Sequence, residues 1–113
     1  MIALYIILND VDYLDDVLES FVKAGVKGAT ILESQGMARA IVANKINDTP
    51  LFGYLKTMLE GAHPYNKTIM AVVDNEQTVD KVVGQLKQLK DQSKNKQSFG
   101  FIFTTPVSKV YPL

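Results

Sequence analysis

Ile2-Ala3-Leu4-Tyr5-Ile6-Ile7-Leu8 opens the chain as a continuous apolar run and stops at the polar pair Asn9-Asp10. A short run rich in β-branched and aromatic residues, bounded by turn formers, reads as a strand buried on both sides. Alternate side chains of a strand point to opposite faces, so Ile2, Leu4, Ile6 and Leu8 line one face and Ala3, Tyr5 and Ile7 the other. Both faces ask for cover. Any fold assigned to the chain has to supply it twice.

Working outward, Asp12 fits a helix N-cap, with Asp15 and Asp16 favoured by the helix dipole in the first turn. Leu14, Val17, Leu18, Phe21 and Val22 then recur at helical spacing as one amphipathic stripe. Gly25 is placed to end that helix, because a left-handed position costs glycine little. Val26 to Glu33 is a second strand, and Thr68 to Val73 a third. Asp74 with Gln77 resembles a capping box opening a second helix, whose stripe is Val79, Val82, Val83, Leu86 and Leu89. Phe99 to Thr105 is a fourth strand closed by Pro106, and Val107 to Tyr111 is a candidate short edge strand.

The order is β-α-β, a long connection, then β-α-β. It predicts an α+β fold, a ferredoxin-like βαββαβ sandwich with two helices on one face of an antiparallel sheet. Two helices cover one face only, and at ~25 cal/mol per Å² several wet aliphatic side chains would cost several kcal/mol. Either copies of the chain associate through the second face, or the middle segment folds across it.

The connection is itself patterned. Thr49-Pro50 is an N-cap followed by proline at the first helical position. Leu51, Leu55, Met58 and Leu59 keep helical spacing, and Gly61 can end the helix. Pro50 to Glu60 is therefore expected to be helical, which makes the connection between strands 2 and 3 long and partly helical. Leu51, Tyr54, Leu55 and Met58 are the candidate partner-binding residues, on the helix-in-groove pattern. His63, in Ala62-His63-Pro64-Tyr65-Asn66, reads as a turn residue.

The 113 residues and 12.5 kDa suit a single domain, 1–113, with 37–66 as an inserted connection. Twelve basic and twelve acidic residues leave no net charge, so the chain lacks the basic surplus that nucleic acid or an anionic membrane selects. Zero cysteines exclude disulfides, thiolate metal sites and a Cys nucleophile, and a single histidine argues against a multi-His zinc site. No apolar run approaches the ~20 residues of a membrane span. The apolar start carries no basic flank or small-residue cleavage site, so a cytoplasmic protein is expected.

Gly25-Val26-Lys27-Gly28-Ala29-Thr30, followed by Gly36-Met37-Ala38-Arg39, resembles the signature of the P-II signal-transduction family. Gly25, Gly28, Thr30, Gly36 and Arg39 occupy the matching positions. The acidic-capped helix Asp74 to Leu89 and the closing Gly100-x-Ile102-Phe103-x-x-Pro106-Val107 pattern match as well. The resemblance implies a homotrimer, no enzymatic activity, a small nucleotide in the clefts between subunits, and a long loop that docks on a target protein, a transporter or an enzyme. Thr30, Gly36, Met37, Arg39 and Gly100 are the ligand-binding candidates it assigns; an adenine nucleotide or a cyclic dinucleotide is the expected ligand, with no cofactor or metal. Arg39 is the only arginine, and a planar guanidinium pairs bidentately with phosphate or carboxylate.

The sequence departs from the family in three places. Ala38 stands where the second glycine of the loop-base motif belongs. Gln92 to Gly100 replaces a glycine-rich phosphate loop, with Phe101 in place of a lysine. The tail, Lys109 to Leu113, lacks the basic residues that reach a neighbouring subunit's nucleotide. Lys87, Lys90, Lys94 and Lys96 keep this region basic. The rival expectation is a structural or interaction trimer without nucleotide binding; an acyl-phosphate hydrolase or a metal-tolerance trimer on the same topology would need residues that are not here.

Overall fold

The computed structural model describes residues 1–37, 39–40, 65–93 and 98–113. The expected helix from Pro50 to Glu60, with Leu51, Tyr54, Leu55 and Met58, lies outside the described residues, as do Ala38, His63, Lys94 and Lys96.

The elements are β1 (Ile2–Leu8), a 3-10 turn (Val11–Tyr13), α1 (Leu14–Ala24), β2 (Thr30–Ser34), β3 (Asn66–Val73), α2 (Glu76–Gln92) and β4 (Gly100–Pro106). The strands form one sheet in the order β2-β3-β1-β4, and every neighbouring pair is antiparallel. This is the ferredoxin-like arrangement, with β1 and β3 central and β2 and β4 at opposite edges.

Register explains the core. Leu4 pairs with Ala71 and Thr104, and Ile6 with Ile69 and Ile102. Leu4, Ile6, Leu8, Ile69, Ala71 and Val73 turn toward the helices and pack with Val17, Phe21 and Ala24 of α1 and Val79, Val82 and Leu86 of α2. Val22 is 75% exposed, contrary to the expected stripe. The buried face of α1 is centred on Val17, Phe21 and Ala24, and at ~100° per residue Val22 lies about 130° around from it.

The bare face is real in the subunit. Val72 is 51%, Phe101 57%, Phe103 44% and Leu32 44% exposed. Tyr5 and Phe103, directly opposed across β1 and β4, stack with ring centroids 4.8 Å apart. That contact covers part of both rings and leaves the rest of the face open.

Local chemistry moves several boundaries. Asp10, not Asp12, caps the first helical segment, its Oδ1 accepting from the Asp12 N–H at 3.1 Å. Gly25 adopts φ 85°, as expected, with its N–H on the Val22 carbonyl and the Val26 N–H on that of Phe21 at 2.9 Å. This is the Schellman closure, which takes up Val26; β2 begins at Thr30. Asn75, not Asp74, caps α2, its Oδ1 accepting from the Thr78 N–H at 3.0 Å. β3 starts two residues early at Asn66, and β4 runs from Gly100 to Pro106. Val107 to Tyr111 forms no strand; one bond, from the Val107 N–H to the Met1 carbonyl, ties its start to β1.

Candidate functional site

The expected ligand-binding residues fall in two groups at opposite edges of the sheet. The β2 edge carries Thr30, Gly36, Met37 and Arg39. Thr30 lines a hollow of about 500 Å³ with Tyr5, Gly28, Ala29, Met70 and Val72, on the side of the sheet away from the helices. Its walls are mostly apolar, which suits a flat, weakly polar ring more than a charged group.

Beyond Ser34 the chain turns. The Ala40 N–H reaches the Gly36 carbonyl at 3.0 Å, one helical turn that carries Met37 and Arg39. Met37 is 77% exposed and meets the solvent. Arg39 folds back on Tyr65: its Nη2 donates to the phenol oxygen at 3.1 Å, and its guanidinium carbon lies 4.7 Å from the ring centroid. The Arg39 Nε is buried and has no hydrogen-bond partner among the described residues.

Beside this turn the last pair of β2 and β3 is polar. The Ser34 hydroxyl donates to Asn66 Oδ1 at 2.5 Å, and the Thr68 hydroxyl donates to Ser34 Oγ at 2.9 Å. Glu33 and Lys67, cross-strand partners one step along, form an ion pair with Lys67 the better covered of the two. A methyl group on Gly36 would approach only Asn66 Nδ2, at an ordinary 3.7 Å. Nothing described in the subunit demands glycine there.

Gly100 sits on the other edge. Leu8 pairs with Gly100 on one side and Lys67 on the other, so Gly100 shares an end of the sheet with Gly36 and Arg39. It is nonetheless three strand spacings away from β2, about 14 Å. Gly100 has a packing reason to be glycine: a Cβ would lie 2.3 Å from the Ile7 carbonyl oxygen. It borders a groove of about 430 Å³ between α2 and β4, lined by Val83, Leu86, Phe99 and Ile102 and bordered by Lys87 and Lys90. Phe101, in the position where a lysine was expected on resemblance, brings no charge to this groove; its side chain points to the opposite, bare face beside Phe103.

Sequence reasoning missed Tyr65, Ser34, Asn66 and Thr68. Tyr65 and Asn66 were read as part of a turn, and the partners Arg39 and Tyr65 lie 26 positions apart. No local pattern announces a pair so distant. Among the described residues, no three His, Cys, Asp or Glu side chains are grouped to hold a metal ion, and no helix is long and apolar enough to cross a membrane.

The described elements thus define an α+β ferredoxin-like domain, with ligand-sized hollows at both sheet edges and a long connection between its second and third strands. It belongs to the P-II family: the family described as nitrogen regulatory protein P-II matches residues 1–113, the whole chain. P-II proteins are nitrogen regulatory signalling proteins rather than enzymes, and are generally trimers that interact with partner proteins. A comparison with curated proteins gave no match.

Proposed function

We propose that the protein is a cytoplasmic, trimeric P-II regulator that binds an adenine nucleotide between subunits and controls a target protein through residues 37–66. The observation that carries this reading is the split of the candidate site. Arg39, Gly36 and the Thr30 hollow occupy the β2 edge, while Gly100, Lys87 and Lys90 occupy the β4 edge. One subunit cannot bring them to a common ligand. A ring of three can, if the β2 edge of each copy faces the β4 edge of the next, and head-to-tail contacts of that kind close into rings.

The apolar face supports assembly independently, since Val72, Phe101 and Phe103 gain cover only from another chain or another segment. In the ligand site, the hollow at Thr30 takes the base and Arg39 takes an anionic oxygen. Lys87 and Lys90 of the next copy supply positive charge without the rigid backbone cradle of a glycine-rich loop. A ligand that fits one arrangement of the 37–66 segment better shifts its population, and with it the surface offered to a partner through Leu51, Tyr54, Leu55 and Met58. Thr30, Gly36, Met37, Arg39 and Gly100 remain the proposed contacts.

One observation favours a second reading, a structural trimer that has lost nucleotide binding: Phe101, 57% exposed on the bare face, stands where the resemblance calls for a lysine. Thermal-shift measurements with ATP, ADP and AMP separate the two. A nucleotide that binds only the native state raises the melting temperature by mass action. Arg39→Ala should weaken that binding by about 1.5–3 kcal/mol, the worth of a charge-assisted hydrogen bond. Indifference of the wild-type protein to every nucleotide selects the structural trimer.

A further inference from the structure

Arg39 and Tyr65 flank residues 41–64 in sequence and meet in space. The geometry of their contact is lopsided. Nε and Nη2 share one edge of the planar guanidinium, the edge that forks onto two oxygens of a phosphate or carboxylate. Here Nη2 donates to the Tyr65 hydroxyl at 3.1 Å, while the buried Nε donates to no described residue. One tine of the fork holds a neutral oxygen, and the other is left with the penalty of an unsatisfied buried donor.

We propose that the Tyr65 hydroxyl is a built-in competitor for the ligand anion at Arg39. It occupies the position of one anion oxygen, and a bidentate phosphate or carboxylate displaces it while satisfying Nε in the same step. The inference rests on the reading above that Arg39 belongs to the ligand site, and it adds a selectivity rule and a route to the connection. A neutral ligand such as adenosine brings no pair of charged oxygens and leaves the tyrosine bond in place. A phosphate ligand breaks the bond between positions 39 and 65, which joins the two ends of the connection. The hydroxyl is fixed rigidly to its ring, so displacing it moves the Tyr65 ring as well and gives up the cation–π contact, which the charged ligand replaces. By linkage, a partner that favours the parted ends strengthens anion binding, and one that favours the joined ends weakens it.

Tyr65→Phe isolates the hydroxyl. Tyr65 is 60% exposed, so the change leaves the core untouched. Titration calorimetry with ATP and with inorganic tripolyphosphate should show Tyr65→Phe binding roughly three- to tenfold tighter than wild type, the range expected when one competing hydrogen bond is removed. Adenosine should bind both proteins equally. Without ligand, trypsin should cut the variant faster than wild type at Lys45 and Lys56, and ATP should speed the cutting of wild type toward the variant's rate. Equal or weaker ATP binding by Tyr65→Phe overturns the proposal while the nucleotide reading survives, since the tyrosine would then support Arg39 rather than compete with it. If neither protein binds ATP or tripolyphosphate, the nucleotide reading falls. The competitor role falls with it, and ligand-free cleavage then reports only whether the hydroxyl ties the two ends of the connection.

Discussion

The two faces of the sheet are built from the same four strands and have opposite fates. On the helix side Leu4, Ile6 and Ile69 are sealed to 1% exposure or less, whereas on the other side Val72, Phe101 and Phe103 remain between 44% and 57% exposed. Aliphatic and aromatic content does not separate the faces. What separates them, among the described residues, is cover: α1 and α2 pack on one face of the two central strands and no described element packs on the other. One finished face and one unfinished face are what the proposed assembly would reconcile, and the candidate site divides in the same way between two edges.

The contrast can be broken by substitutions that probe each face. Leu4→Ala, on the covered face, should cost about 2–5 kcal/mol in a denaturant titration, because the packed helices cannot collapse into the space left behind. Gly100→Ala follows. Its new Cβ would strike the Ile7 carbonyl, so β4 must shift off β1, with a loss of about 1–3 kcal/mol. Val72→Asp, on the bare face, should change subunit stability little and instead move the light-scattering mass from about three subunits toward one. A Val72→Asp protein that stays assembled would show that the bare face is covered from within its own chain. The smallest effect on folding belongs to Gly36→Ala, whose methyl has room; stability should stay within about 0.5 kcal/mol while nucleotide affinity falls.

Much of this architecture was readable beforehand. The two-faced run Ile2–Leu8 and the stripes Val17-Phe21 and Val79-Val82-Leu86 fixed which elements form and which way they turn, since periodicity reports directly on burial. The ends of elements were less readable. Asp74 and Asn75 are both able caps, and Asn75, extended at φ −154°, is the one whose Oδ1 accepts from the Thr78 N–H. β2 begins late, at Thr30, and the Schellman closure after Gly25 accounts for Val26 alone. The candidate site was half readable: Gly36 and Arg39 stood out by residue type and resemblance, but Tyr65 did not. Its meaning lies in a contact made across 26 positions. Gly100 was identified for ligand binding, and the packing against Ile7 is an equally strong reason for a glycine there.

The central claim is that the site is shared between the β2 edge of one copy and the β4 edge of the next. Mixing two disabled proteins tests it most directly. Arg39→Ala damages one half and Lys87→Ala with Lys90→Ala damages the other, so each variant alone should bind ATP poorly. After joint unfolding and refolding, random assembly places two intact halves together in roughly one cleft in four, and ATP binding should return to about that fraction of sites. A mixture that binds no better than its two parents would contradict a shared site.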